Sequence, residues 1–303
     1  MTIASGGNDI NNIINKLEIY STRPIIISLF PGITVENQID AFITRLKSDL
    51  VLLNSKKDEA KYKKLCNIFK VPYNGFLYGA SWYSKVENIS CEIENKNYIV
   101  FFEQIDIPNL KNNRFELLTS LCNTAKKNPQ KNFLIKSREE FINQDTSLFS
   151  LSKELTLPSN LNFTQIDTSV LIHNMFLGIS ISSSTCIESI LANKRFVLIS
   201  NYGYKNTFLN FYRGSNMILN LEDIDFDYLP VVNNKWKIEN IINPYEQIDS
   251  LKLFLDTLNK KERKVKVDFF IWVKLFLLYY KVFIKEPKVI YKKVKKSILL
   301  VKD

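Results

Sequence analysis

The chain has 303 residues, of which 46% are hydrophobic and 24% charged, so it can bury one large or two moderate cores and is unlike a disordered chain. Its 8 glycines, 9 prolines, 21 Phe and 14 Tyr exclude collagen-like and low-complexity chains. The net charge of +10 is local, because residues 260–303 hold 13 Lys and 1 Arg against four acidic residues while the remainder is balanced.

The cysteines and the start of the chain suggest a cellular compartment. The four cysteines are far apart and only one histidine is available to join them, which argues against a zinc site. The first 20 residues lack the basic and apolar regions of a secretory signal. We therefore expect a cytoplasmic protein with free thiols.

The first half of the chain alternates between strand and helix patterns. PIIISLF (24–30) reads as a buried strand, VENQIDAFITRLK (35–47) as an amphipathic helix, SDLVLLNS (48–55) as a strand and DEAKYKKLCNIF (58–69) as a helix. Residues 71–97 are poorly periodic, and we place a domain boundary near Asn95.

The same rhythm restarts after this boundary. Strand patterns at 98–104, 132–138, 178–182, 195–200 and 217–221 alternate with helix patterns at 115–128, 167–176 and 184–193. This alternation is typical of parallel sheets. We predict an α/β protein with two Rossmann-like domains facing a cleft, residues 1–94 and 95–259.

Residues 260–303 form a separate tail. On a helical wheel, five lysines gather on one side and aromatic and apolar residues on the other. Lys274 and Lys281 interrupt the apolar run, so we expect an amphipathic helix that lies on an anionic membrane through residues 265–296, with Pro287 kinking or splitting it. The alternative is a helix packed on the protein body.

The most specific motif is GISISSSTCIESILANKRFVLIS, residues 178–200. A strand ends in Ser182, Ser183, Ser184 and Thr185, where a helix begins, so hydroxyl and backbone N–H groups converge on the positive end of the helix dipole. An anion fits there without a metal. The alternative is that one serine merely caps the helix.

Further polar side chains follow other strands of the same predicted sheet. Glu188, one turn into the helix, could accept hydrogen bonds from a ribose diol, or simply favour the helix dipole. Lys136 and Arg138 end the strand NFLIKSR and could clamp a phosphate or carboxylate, or be solvated beside two glutamates. Gln104 could contact a base or a sugar hydroxyl, or satisfy loop backbone.

Several other patterns are less specific. The spacing of Asp223, Asp225 and Asp227 is similar to a metal-binding DxD pair, but a solvated turn is the better interpretation because no long apolar strand precedes it. The motifs GxSxG, GxxxxGK[ST], GxGxxG and HExxH do not occur. The common signatures of esterases, P-loop NTPases, dehydrogenases and zincins are therefore missing.

With these residues assembled, the chain resembles GT-B type bacterial glycosyltransferases, especially enzymes that build surface polysaccharides from CMP-activated ulosonic acids such as sialic acid or Kdo. The resemblance is carried by SSSTCIESILANKR, by the strand ending in IKSR and by IVFFEQIDIP. It implies that Ser183, Ser184 and Thr185 hold the nucleotide phosphate and that Glu188 holds the ribose.

The resemblance also implies an activity. It implies transfer of a sugar from a nucleotide-sugar to a cell-surface glycan or lipid-linked acceptor, with no metal or other cofactor, by an enzyme peripheral on the inner face of the cell membrane. Transfer needs charge stabilisation at the leaving phosphate and a base for the acceptor hydroxyl. The candidates for the base are Asp9, Asp40, Asp167 and His173.

Two features depart from the family pattern. Sialyltransferase-like relatives have a His-Pro pair where this chain has Ser137 and Arg138, and the N-terminal unit is short for half of a GT-B protein. The alternatives are a CDP-polyol phosphotransferase, a nucleotide-sugar epimerase, or a nucleic-acid-binding protein that uses the basic tail. We do not expect nucleic acid binding, because the tail has one Arg and its aromatics lie opposite its lysines.

Overall fold

The computed structural model describes residues 2–3, 7–20, 23–84, 98–105, 107–139, 141–201, 207–258, 265, 269–285 and 287–301. The strands are β1 (Thr2–Ile3), β2 (Ile27–Ser28), β3 (Leu50–Leu53), β4 (Gly75–Leu77), β5 (Tyr98–Phe102), β6 (Asn132–Lys136), β7 (Leu161–Thr164), β8 (Met175–Ser180), β9 (Arg195–Ile199) and β10 (Ile218–Leu219). The α-helices are α1 (Gly7–Glu18), α2 (Ile39–Ile43), α3 (Lys56–Phe69), α4 (Lys111–Lys127), α5 (Leu148–Ser152), α6 (Thr168–Asn174), α7 (Thr185–Leu191), α8 (Thr207–Phe211), α9 (Asn234–Asn240), α10 (Ile248–Asp256), α11 (Phe269–Lys285) and α12 (Pro287–Val301).

The chain divides into two compact units. Unit 1 comprises residues 1–82 and 238–303, and unit 2 comprises residues 83–237. Unit 2 is thus inserted into unit 1. This division differs from the expected domains 1–94, 95–259 and 260–303, and the expected boundary at Asn95 lies outside the described residues.

Unit 1 contains a four-stranded parallel sheet in the order β1-β2-β3-β4. Helix α3 of this unit has a defined cap at each end. At its start, the Ser55 hydroxyl accepts a hydrogen bond from the Asp58 backbone N–H, and at its end Lys70 has the left-handed conformation. Tyr62 and Phe69 on this helix are buried in the core. A Ser cap and an amphipathic pattern therefore explain where this helix lies.

The tail packs into the core of unit 1. Helix α11 contacts α3, and α12 contacts α1, α2 and α11. The buried tail residues that share a cluster with Phe42 and Tyr62 are Val265, Ile271, Leu275, Val294 and Ile298. The described residues therefore show the alternative, a tail that packs on the protein body. Pro287 begins the second tail helix, so the predicted split of the tail at this residue is present.

The membrane-facing side that we expected for the tail is partly corrected. On the helical wheel Val294 belongs to the aromatic and apolar side, opposite the lysines, but the structure buries it in the unit 1 core. The side chains of residues 280–290, which include Lys281, Lys285 and Lys288, lie outside the described residues. In the described part of the chain, no helix is both long and apolar enough to cross a bilayer.

Unit 2 contains a six-stranded parallel sheet in the order β10-β9-β8-β5-β6-β7. The chain builds outward from β5 to β7, then returns to the other side of β5 and builds outward again from β8 to β10. This is the strand order of a doubly wound Rossmann-like sheet. The predicted α/β class with parallel sheets is confirmed.

Candidate functional site

The order of strands in unit 2 identifies one edge of the sheet as a binding site. Strands β5 and β8 are neighbours, but their chain connections leave in opposite directions. In open parallel sheets, ligands bind beyond the carboxyl ends of the strands at such a switch point, because the diverging loops leave a crevice. The residues that follow β5 and β8 are Gln104 and the serine turn, Ser182–Thr185.

Gln104 joins the two sides of this switch point. Its Oε1 atom accepts a hydrogen bond of 2.8 Å from the Ser182 backbone N–H and one of 3.3 Å from the Ser180 hydroxyl. Its Nε2 atom lies 3.4 Å from Ser182 Oγ. The amide of Gln104 therefore holds the start of the serine turn, and its predicted contact with a base or sugar stays a prediction.

The serine turn presents hydrogen-bond donors for which the described part of the chain offers no acceptor. The Ser183 hydroxyl accepts hydrogen bonds from the Thr185 backbone N–H and hydroxyl, at 3.2 and 2.8 Å. Among the described residues, no acceptor lies in reach of the backbone N–H groups of Ser183 and Ser184, and the Ser184 hydroxyl makes no capping bond. Helix α7 has only seven residues, so these donors, rather than a long helix dipole, favour an anion here.

Tyr212 holds the serine turn through a hydrogen bond to its backbone. Its side chain is fully buried, and its hydroxyl donates a hydrogen bond of 2.8 Å to the Ser183 carbonyl oxygen. Its ring stacks on Trp236 with 5.8 Å between the ring centroids. Sequence reasoning missed this residue, because 29 positions separate it from Ser183 and no local pattern marks the pair.

Glu188 and Asp167 come close enough to interact. Burial, and secondarily repulsion from Asp167, raise the pKa of Glu188 to about 7. Asp167 caps α6 and accepts hydrogen bonds from the Ser169 hydroxyl and backbone N–H, which lower its pKa. No described residue donates a hydrogen bond to the Glu188 carboxyl group, so it is available to hydroxyls of a ligand.

The predicted cations lie on the other side of β5. Lys136 ends β6 and its Nζ atom donates a hydrogen bond of 3.2 Å to the Gln165 carbonyl oxygen, while Arg138 is exposed two residues later. Strand β5 separates β6 from β8, so the backbones at these positions are about 10 Å apart. The side chains of Lys136 and Arg138 are long enough for their charged groups to come closer to the serine turn than the backbones do.

The other predicted catalytic residues lie elsewhere. Asp9 is in the first turn of α1 and Asp40 is in the first turn of α2, both in unit 1. His173 is at the last turn of α6, two residues before β8 begins, so the fold places it toward the amino ends of the strands and away from the serine turn. Its Nδ1 atom donates a 2.8 Å hydrogen bond to the Ser169 carbonyl oxygen.

The acidic repeat forms a turn. Asp225 Oδ1 accepts hydrogen bonds from the backbone N–H groups of Asp227 and Tyr228, at 2.9 and 3.3 Å. Asp223 accepts a hydrogen bond from the Asn220 side chain. Across the described ranges, no three His, Cys, Asp or Glu side chains come together as metal ligands.

A buried ion pair fixes the loops beside the crevice. Glu103, the first residue after β5, pairs with Arg114 of α4, and it also accepts a hydrogen bond from the Ser137 hydroxyl. Arg114 Nη1 donates to the carbonyl oxygens of Gln104 and Pro108, at 3.0 and 2.8 Å. Sequence reasoning missed this pair; the signal available was an acid directly after a buried strand.

This arrangement can bind an anion, hold hydroxyls and present cations at one sheet edge. A doubly wound sheet of this kind, in a chain with a second parallel α/β unit, is the architecture of the GT-B fold. The chain belongs to the family described as "Putative glycosyltransferase (DUF6716)", whose model matches residues 1–255. The protein is therefore a glycosyltransferase, as the sequence predicted.

Solved structures agree on the fold. A protein described as a "putative UDP-N-acetylglucosamine 2-epimerase" from Listeria monocytogenes superposes with a TM-score of 0.57 at 10% identity, over 84% of this chain and 80% of that chain. UDP-GlcNAc 2-epimerase from Neisseria meningitidis, bound to UDP-GlcNAc, gives a TM-score of 0.51 at 12% identity, over 82% and 79%. No curated protein matches the chain in sequence. At these identities the likeness extends to the fold alone.

Proposed function

We propose that the protein transfers an ulosonic acid, such as Kdo or sialic acid, from a CMP-activated donor to a cell-surface glycan or lipid-linked acceptor without a metal ion, at the inner face of the cell membrane. One observation carries the proposal. Within the described ranges, nothing pairs with the backbone N–H groups of Ser183 and Ser184, and the Ser184 hydroxyl makes no capping bond, at the switch point of a Rossmann-like sheet. A phosphate accepts hydrogen bonds from such a set of donors.

The choice of an ulosonic acid donor rests on charge. Such a donor carries two anionic groups, the phosphate and the carboxylate of the sugar. The serine turn offers neutral donors for the phosphate, and Lys136 and Arg138 offer two cations beyond the neighbouring strand. Glu188, with no protein donor among the described residues, would accept hydrogen bonds from the ribose.

The proposed chemistry needs groups that stabilise the leaving phosphate and a base for the acceptor hydroxyl. In unit 2, the turn and the two cations stabilise negative charge on the departing CMP. In unit 1, Asp9 and Asp40 follow the carboxyl ends of β1 and β2. We propose that one of them takes the proton of the acceptor hydroxyl, because the carboxyl of Asp167 is engaged by Ser169 and has a lowered pKa.

Thermal unfolding with nucleotides tests the donor site. A ligand at 100 times its Kd stabilises the folded state by about 2.7 kcal/mol, so CMP should raise Tm measurably, and more than CDP, UDP or GDP. Ser184→Ala should weaken the shift caused by both CMP and the CMP-sugar. Arg138→Ala should weaken mainly the shift caused by the CMP-sugar, because it removes the partner of the sugar carboxylate.

Matched controls separate these effects from general ones. Ser159→Ala and Arg213→Ala remove the same groups from exposed positions of unit 2 and should leave every shift unchanged. Asp9→Asn and Asp40→Asn should keep the CMP shift, and one of them should abolish transfer. A larger shift with UDP than with CMP, or equal shifts in wild type and Ser184→Ala, would contradict the proposal.

A further inference from the structure

Helix α11 has two apolar faces. Ile271 and Leu275 point into the core of unit 1, and Leu275 is 0% exposed. The exposed positions of the same helix between Phe270 and Leu278 are Phe270, Val273, Lys274, Phe276, Leu277 and Leu278. Five of these six side chains are apolar, and Phe270 and Leu277 are 69% and 66% exposed. Contiguous apolar surfaces of this kind mark sites that bind a partner or a membrane.

The second tail helix adds positive charge to this surface. Lys292, Lys293, Lys295 and Lys296 of α12 are all exposed. The two helices are joined there, because the Tyr291 ring lies 5.5 Å from the Trp272 ring and Lys295 Nζ lies 5.8 Å from the Tyr291 ring. Neither α11 nor α12 contains an acidic residue. The apolar face and the lysine row therefore form one surface.

We propose that this surface, the exposed face of α11 with the exposed lysines of α12, docks the protein on an anionic lipid leaflet. The apolar side chains enter the boundary between headgroups and acyl chains, and the lysines bind anionic headgroups. Helix α11 remains folded on unit 1 during docking, because Ile271 and Leu275 on its opposite face stay in the core.

The charge of the tail favours a membrane over a second copy of the chain. Residues 260–303 carry a net charge of +10, so two tails brought face to face would repel each other, whereas an anionic leaflet attracts them. The apolar positions of α11 likewise fit a bilayer better than a nucleic acid backbone. The inference deepens the proposed function, since an acceptor carried on a lipid would be met at this surface.

Vesicle flotation of the full chain tests the inference. The protein should float with vesicles of phosphatidylcholine and phosphatidylglycerol, and much less with vesicles of phosphatidylcholine alone. Each lysine near an anionic surface strengthens binding by roughly fivefold. The triple variant Lys292→Glu, Lys293→Glu, Lys296→Glu should therefore bind the anionic vesicles at least about 100-fold more weakly. Phe270→Ser with Leu277→Ser should also abolish flotation.

Control variants match these changes elsewhere. Lys126→Glu, Lys127→Glu and Lys235→Glu together change the charge equally in unit 2, and Tyr228→Ser removes an aromatic ring that is 85% exposed. Both controls should float like the wild type, and all variants should show the wild-type Tm. Light scattering of the lipid-free protein should give a monomer.

Three results would overturn the inference. The first is that the wild type does not float with anionic vesicles. The second is that the tail lysine triple and the control lysine triple lose the same amount of flotation. The third is that the lipid-free protein is a dimer, which Phe270→Ser with Leu277→Ser dissociates. Donor binding is measured separately, because the surface variants should keep the CMP shift. Lost flotation with a normal shift then bears on docking alone, and a missing shift with normal flotation bears on the proposed function alone.

Discussion

Glu103 and Arg114 form an ion pair in which the two side chains are 2% and 1% exposed. The Glu103 carboxylate also accepts a 2.8 Å hydrogen bond from the Leu148 backbone N–H, and Arg114 binds carbonyl oxygens of the loop after β5. Charges buried this deeply are tolerated because hydrogen bonds satisfy both of them. The pair therefore joins the loops that follow β5 and β6, which carry Gln104 and Arg138.

Removing one partner of this pair should destabilise the protein strongly. Arg114→Leu should lower the free energy of unfolding by about 3–5 kcal/mol, because it leaves the Glu103 charge buried without its partner. Lys111 lies on the same helix as Arg114 and forms an exposed ion pair with Glu154, at 3.5 Å, so Lys111→Leu should cost about 1 kcal/mol or less. Urea unfolding of both variants measures the difference, and equal losses would contradict it.

Glu188 should make stability depend on pH. Its pKa is about 7 in the folded protein against 4.5 for an unperturbed glutamate, so the folded state binds more protons between these values. Stability should therefore fall as pH rises from about 4.5 to about 7, by up to about 3 kcal/mol, and stay level above that range.

The neighbours of Glu188 allow a controlled test. Asp167, Cys186 and Tyr212 lie near it and are unchanged in Glu188→Gln, which should be more stable than wild type at pH 7.5 and equal to it below pH 4.5. Asp167→Asn should lower the pKa of Glu188, because it removes the repulsion. Urea unfolding gives the free energy of unfolding at each pH. A difference between wild type and Glu188→Gln that stays constant over this pH range would contradict the raised pKa of Glu188.

Gln104 should matter through the serine turn. Gln104→Ala leaves the buried Ser182 N–H without an acceptor and should lower the free energy of unfolding by about 1–3 kcal/mol. Gln104→Glu keeps an acceptor for that N–H but brings a negative charge to the proposed phosphate site, so it should be more stable than Gln104→Ala and yet lose the CMP-induced shift in Tm. Gln130→Glu, an exposed residue in the turn before β6, makes the same charge change and should keep the shift.

Gly178 should not tolerate a side chain. A Cβ atom there would lie 2.4 Å from Phe196 Cδ2 and 2.5 Å from its Cε2, and that ring is itself buried against Phe102. Gly178→Ala should therefore cost about 1–3 kcal/mol. Gly32→Ala is the matched control, because no atom lies within 4 Å of its Cβ position. Equal values of Tm for the two variants would contradict this packing argument.

The strand and helix rhythm could be predicted, and so could the edge strand β10, but the other short edge strands could not. Apolar runs marked β3, β5, β6, β8 and β9, because central parallel strands are buried on both faces. Strands β4 and β7 were missed, since Gly75–Leu77 and Leu161–Thr164 are short and partly exposed and their pairing depends on a neighbour distant in sequence. The helical wheel predicted one apolar face for the tail, whereas α11 has a buried and an exposed apolar face. A wheel does not show which side of a helix packs against the core.

The site was predictable where one strand end carries its own signal. The serine turn and Arg138 follow the ends of strands and Lys136 is the last residue of one, so the strand order brings all three to the same edge of the sheet. The predicted helix 167–176 contains His173, as α6 does, but it is too long, because α6 ends at Asn174 and the next two residues begin β8. The contacts of Glu103 with Arg114 and of Tyr212 with Ser183 join loops through space, so no local pattern reveals them.

The position of Val294 and Ile298 in the core of unit 1 has a consequence for synthesis on the ribosome. Unit 2 is complete once residue 237 has emerged, whereas unit 1 lacks part of its interior until the final turns of α12 are made. The inserted unit is therefore expected to acquire its structure during translation. Unit 1 can complete its core only after α12 has emerged, and until then its apolar surface is accessible to chaperones.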